Sequence, residues 1–204
     1  IFSIMKVVII LLWIVVIVAV LLGWRLLFIP KEVTVSRQAE IAAPPTYIFE
    51  QVNNLKYWPS WMPWLETDPE MKFSYGEQVE GEGASYSWKG EKAGNGSLSI
   101  VKTEENKSIQ TAIAFEGQGE SIGNWSFTPK GDNTLVSWSM TTDAGNDPFG
   151  RFVNLLMDGL LGPDFEWGLD NLGEVAIARY QKASEAEVQE LAAETETKSL
   201  EITE

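Results

Sequence analysis

An α+β domain preceded by a membrane-spanning helix is the fold that three features of this 204-residue chain predict. Between Met71 and Ala144, short runs of alternating apolar and polar residues are separated by Gly and Asn/Asp clusters, as in an antiparallel meander. From Pro148 the apolar spacing becomes helical, with Phe149, Phe152, Val153, Leu156, Leu160, Phe165, Leu169 and Leu172 on one broad face. Ahead of both lies an uncharged run of 18 residues, Val7 to Trp24. The expected divisions are residues 1–30 as anchor, 31–182 as a single domain and 183–204 as an acidic tail that frays.

At 1.5 Å per residue the apolar run makes about 27 Å of helix, close to the hydrocarbon thickness of a bilayer. Trp24 beside Arg25 has the character of an interface anchor. The rival reading, a cleaved signal peptide, is disfavoured because no small-x-small cleavage site follows before Pro30. Lys6 on one side against Arg25, Lys31 and Arg37 on the other tilts the charge count toward a cytoplasmic domain by a narrow margin.

Glu32 to Ala42 alternates as a half-buried strand, and Pro44-Pro45 opens a short helix whose apolar face is Tyr47, Ile48, Phe49 and Val52. In Leu55 to Trp64, Pro59 and Pro63 forbid one continuous helix while the aromatics demand burial, so a second short helix running into a packed loop is expected. Six strands follow, at Met71–Tyr75, Ala84–Lys89, Ser97–Thr103, Ser108–Phe115, Gly123–Thr128 and Thr134–Thr142, bringing the sheet to about seven. In the long C-terminal helix, Gly162-Pro163 is expected to impose a kink or a division, since proline removes a donor and clashes with the preceding turn.

Composition narrows the functions. A net charge of −14 repels phosphate backbones and argues against a nucleic-acid partner. The chain has neither cysteine nor histidine, which removes thiol and Ser-His-Asp catalysis and the usual zinc sites; no metal or cofactor is expected. Nine Trp and nine Phe supply ample surface for burial.

The segments Val52–Trp64, Gly83–Gly90 and Gly162–Leu172 resemble those of bacterial polyketide cyclase/dehydrase-like proteins of the SRPBCC (START/Bet v 1-like) superfamily that carry an N-terminal membrane helix. The resemblance implies a helix-grip fold, a curved antiparallel sheet wrapped on its last helix. Its contents vary among lipid carriers, hormone receptors and cyclases, and fold alone does not choose among them.

By strand alternation Tyr86 and Trp88 share a face, as do Thr111, Ile113 and Phe115, then Trp125 and Phe127, then Trp138 and Met140. The candidate ligand-binding residues are Trp61, Trp64, Tyr86, Trp88, Phe115, Trp125, Trp138, Phe152, Leu156, Phe165 and Leu169. Trp58, Trp61 and Trp64, at spacing three, read either as an aromatic lip over a cavity or as a plug closing one end of the sheet, and the plug is favoured. Tyr86 and Asp164 are the candidates for acid-base work; Asp164, Glu166 and Asp170 lie near the Gly-Pro break and could project a carboxylate inward, although acids just after a proline more often sit in the first turn of a new helix, which is the favoured expectation.

The expected function is a membrane-anchored module binding a hydrophobic or amphipathic small molecule, lipids included. The alternatives are a cofactor-independent cyclase/dehydratase-like lyase, or a protein-interaction or stress-response module with a filled core that meets a basic partner through the acidic tail.

Overall fold

The structure, a computed structural model, describes residues 6, 9–17, 29–117 and 119–201. Seven strands form one antiparallel sheet: β1 (Glu32–Ile41), β2 (Lys72–Tyr75), β3 (Ser85–Lys89), β4 (Asn95–Glu104), β5 (Ser108–Phe115), β6 (Glu120–Lys130) and β7 (Asn133–Asp143). The spatial order is β1-β7-β6-β5-β4-β3-β2, so strands consecutive in sequence, β1 and β2, occupy opposite edges. The connection between them must cross the sheet. It carries helix α1 (Pro45–Asn53), a 3-10 turn (Trp58–Ser60) and a four-residue helix α2 (Trp64–Thr67).

Proline 45 occupies the first turn of α1, where a missing N–H costs nothing, and Ile48, Phe49 and Val52 are buried as the helical spacing requires. Strands β5 and β7 alternate in burial, one face to the core and one to solvent. A register shift between Ile100 and Lys102 bulges β4, turning Val101 outward and adding to the curvature of the sheet.

After β7 come α3 (Pro148–Asn154) and α4 (Met157–Glu201). Asp147 caps α3, its carboxylate accepting from the N–H groups of Phe149 and Gly150. The helical break lies at Leu155-Leu156, not at Gly162-Pro163: α4 runs unbroken for 45 residues with Pro163 inside it. Pro163 and Gly159, whose carbonyl loses its partner, both lie on the exposed side, where water can satisfy the freed group. Asp164, Glu166 and Asp170 are therefore mid-helix, and Asp158 takes the first turn. The helix also continues past Lys182, the expected start of the frayed tail, to Glu201.

Arg37 on β1 fastens the front of α4 to the sheet. Its guanidinium pairs with Asp158 at 2.8 Å and with Glu166, one on each side of Gly162. A Cβ at Gly162 would collide with that guanidinium, which explains a glycine in mid-helix despite its poor propensity. Farther along α4, Arg179 lies over the Tyr57 ring at 4.1 Å, tying the helix to the crossing segment.

Of the apolar run Val7–Trp24, residues 7–8 and 18–24 lie outside the described residues. Residues 9–17 are helical, and Ile9 to Ile17 are 41–66 % exposed. Among the described residues no helix is long and apolar enough to cross a membrane.

Candidate functional site

Between the concave face of the sheet, the crossing segment and α4 lies a cavity of about 140 Å³. Its deep walls are buried: Trp58 and Met62 from the crossing segment, Tyr86, Leu98, Trp138 and Met140 from the strands, and Phe165 from α4. Trp64, Phe73, Ala93, Phe115 and Leu161 line it while remaining half-buried, and this gradient of exposure locates the mouth.

The cavity is framed by a stack of rings. Trp138 lies between its cross-strand partner Trp125, centroids 4.4 Å apart, and Phe165 of α4, 3.9 Å away and nearly parallel. Gly168, one turn beyond Phe165, makes this approach possible, since a Cβ there would stand 2.9 Å from Trp138 Cζ3. The stack leaves Trp125 Nε1 buried with no partner among the described residues, an expense set against extensive ring contact. Trp88 and Phe115 meet edge to face at 5.5 Å above Gly96, which pairs with both across the sheet.

The three tryptophans of the crossing segment divide in function. Trp58 Nε1 donates to the Val52 carbonyl at 2.9 Å and Trp61 Nε1 to that of Gln51 at 3.3 Å, so both indoles are committed to α1 and close the end of the sheet. Trp64 stands at the mouth, its Nε1 donating to Asp164 Oδ2 at 3.1 Å.

Of the eleven candidates, Trp64, Tyr86, Trp88, Phe115, Trp138 and Phe165 line the cavity. Trp61, Trp125 and Leu169 are buried behind it. Phe152 and Leu156 are 48 % and 51 % exposed, because the break at Leu155-Leu156 turns their faces outward. Trp58, Met62, Met71, Phe73, Ala93, Leu98, Ile113, Met140 and Leu161 also line the cavity, outside those eleven. Period two places Met140 with Trp138, and Leu98 alternates likewise on β4; Leu161 carries no signal until the helix passes through Gly162-Pro163 unbroken.

Tyr86 supplies the one hydroxyl of the lining, and no hydrogen bond engages it among the described residues. Burial, aided by the neighbouring Tyr75, pushes this hydroxyl far above the ordinary tyrosine range. It is therefore a neutral hydrogen-bonding group and not a base at ordinary pH. Asp164 does not join it: its carboxylate serves Trp64, and no carboxylate lines the cavity among the described residues. No group of three or more acidic side chains capable of holding a metal is present among the described residues.

One wall depends on Asp68. This buried carboxylate accepts from the backbone N–H of Ala93 at 3.1 Å and of Lys92 at 2.9 Å, fixing the β3–β4 hairpin so that Ala93 reaches the mouth. The hydrogen bonds from Ala93 and then Lys92 hold its pKa below the usual aspartate value. A carboxyl whose pKa is lowered by folding adds stability that is complete above its unfolded pKa and vanishes as pH falls through the folded one. Acid is thus expected to loosen the hairpin in the parent protein, whereas Asp68→Asn should be looser at neutral pH with a flatter acid dependence. Hydrogen exchange at the Lys92 and Ala93 amides checks this; identical pH profiles for the two proteins would refute it.

The profile of a family described as polyketide cyclase / dehydrase and lipid transport matches residues 32–176. No functionally curated protein matches the sequence. Among solved structures, a protein of unknown function, SA2116 from Staphylococcus aureus, is similar at 11 % identity and a TM-score of 0.58, over 74 % of this chain and 97 % of that one. Protein Ms6760 from Mycobacterium smegmatis is similar at 17 % identity and a TM-score of 0.51, over 72 % and 92 %. At such identities the likeness speaks for the helix-grip architecture alone.

Proposed function

The chain belongs to the polyketide cyclase/dehydrase and lipid transport family, and from that premise we propose that it is a membrane-anchored module binding a hydrophobic or amphipathic small molecule in the cavity between sheet and α4. The observation that carries this reading is the chemistry of the cavity: a wall of aromatic and aliphatic side chains with one uncommitted hydroxyl, that of Tyr86. Such a lining favours an apolar guest and offers a single hydrogen bond to orient it.

Size limits what enters. At about 140 Å³, the space is close to the roughly 150 Å³ apolar cavity of an unrelated protein that takes benzene. One ring or the end of an acyl chain fits inside, and the rest of a larger molecule would extend through the mouth past Trp64 and Leu161. The apolar run at Val7–Trp24 is the proposed anchor, supported by its length and by the exposure of Ile9 to Ile17. It would keep the module beside a reservoir of such molecules.

Native mass spectrometry of the full chain released from lipid nanodiscs is expected to show a bound small molecule, absent from an Ile113→Trp variant in which the indole fills the cavity. Tyr86→Phe should retain the guest with affinity reduced by about 0.5–1.5 kcal/mol, the worth of one hydrogen bond. Equal occupancy in the parent and a folded Ile113→Trp protein would exclude this cavity as the site.

A further inference from the structure

Outside the cavity, one surface is unlike the rest. Phe149, Phe152, Leu155, Leu156 and Leu160 are 73, 48, 58, 51 and 60 % exposed, and they follow one another around the α3–α4 corner. Solvated monomers seldom gather so many large apolar side chains in one place. The carboxylates nearest in sequence are engaged elsewhere: Asp147 caps α3, and Asp158 and Glu166 hold Arg37. On a chain of net charge −14, these carboxylates have partners, with Asp158 and Glu166 ion-paired although 66 % and 62 % exposed, and the apolar groups stand beside them. Leu161, next to Leu160, lines the cavity mouth.

The corner is also fastened to the start of the domain. Asn154 Nδ2 donates to the Lys31 carbonyl at 2.9 Å, and the same carbonyl accepts from Ala144 N at 2.9 Å. Lys31 follows Trp24, where the proposed anchor ends, by seven positions. At about 3.5 Å per residue the chain covers no more than ~25 Å between them. A chain leaving the bilayer at Trp24 therefore keeps α3 within reach of the headgroup region.

We propose that the α3–α4 corner is a bilayer-docking surface, in which Phe149, Phe152, Leu155, Leu156 and Leu160 enter the lipid interface and set the cavity mouth against the membrane. This rests on the anchored reading given above. Docking is driven by apolar contact more than by attraction to anionic lipid, since Arg37 and Arg151 are engaged by protein oxygens and Lys31 is the further basic residue at the corner. A guest could then pass from the lipid phase to the mouth without crossing water.

The absence of native cysteine allows single-site labelling. Full-length Phe152→Cys and Leu156→Cys proteins carrying an environment-sensitive fluorophore are reconstituted into zwitterionic phosphatidylcholine nanodiscs. Ser87→Cys on the outer sheet face serves as the exposed control and Trp13→Cys as the reporter of the anchor. An interfacial side chain lies about 5–10 Å into the headgroup/acyl boundary, so shallow nitroxide-labelled lipid should quench the labels at 152 and 156 at least two-fold while the label at 87 is untouched. The quenching should persist in high salt. Quenching at 13 by lipid carrying its nitroxide deep in the acyl chain, with none at 152 and 156 by the shallow label, would overturn the docking surface while leaving the anchor intact; no quenching of any site by either lipid would overturn both. Blue-shifted labels at 152 and 156 that lipid nitroxide does not reach would show that protein covers the corner, a second copy or the apolar run itself, and would equally overturn the proposal.

Discussion

Replacing Trp138 by alanine is expected to destabilise the domain by about 3–5 kcal/mol, the usual cost of truncating a buried tryptophan. Trp138 is 2 % exposed and is the middle ring of the Trp125–Trp138–Phe165 stack, so its loss removes the contact joining sheet to helix as well as its own buried surface. Paired aromatic rings contribute about 0.5–1.5 kcal/mol beyond area, which places the effect toward the upper end of that range. A loss of this size is a large share of the roughly 5–15 kcal/mol by which domains are stable. Denaturant unfolding of the full chain, followed by far-ultraviolet circular dichroism, measures it. A loss below about 1.5 kcal/mol would mean that the neighbouring rings collapse into the space, and the stack would not be the keystone inferred here.

The second large effect comes from adding volume. In Gly96→Val the new Cβ would meet the Trp88 ring and stand 2.6 Å from the Ala114 backbone carbonyl. A long side chain could swing aside, but a carbonyl in the β4–β5 ladder cannot move without disturbing the sheet. Overpacking of this kind costs about 1–3 kcal/mol and sometimes more. It should also drive Trp88 away from Phe115 and into the cavity it lines, so the variant is expected to lose ligand as well as stability. Unfolding curves and near-ultraviolet circular dichroism of the folded fraction separate the two consequences. Unchanged stability together with an unchanged aromatic spectrum would show that the strand accommodates the side chain, contrary to this reading.

The two substitutions act through opposite defects, a void and a clash. Their common target explains why the cavity and the stability of the domain are coupled: the rings that line the cavity also join sheet to helix.

The order and type of the elements were written in the sequence because their signals are local. Alternation in Ser108–Phe115 and Thr134–Thr142, the glycine and asparagine clusters between strands, and the helical spacing after Pro148 each act within a few residues. For the same reason Tyr86, Trp88, Phe115 and Trp138 could be assigned to one face before their partners were known. Period specifies which face a residue takes but not how deep that face lies. The distinction between Trp58 and Trp61, committed to α1, and Trp64 at the mouth depends on carbonyls and a carboxylate brought near by the fold. Pro163 tells the same story: its effect on a helix depends on whether the orphaned carbonyl faces solvent, and here it lies on the exposed side. Phe152 and Leu156 satisfied the helical pattern of a core and were turned outward by a break seven residues earlier than the one the proline advertised. Local chemistry thus determined the strands, the helices and the aromatic wealth of the core. Which rings would bound a cavity, and which apolar groups would be left exposed at the α3–α4 corner, was decided by packing between segments distant in sequence, such as Trp64 with Asp164 at a separation of 100.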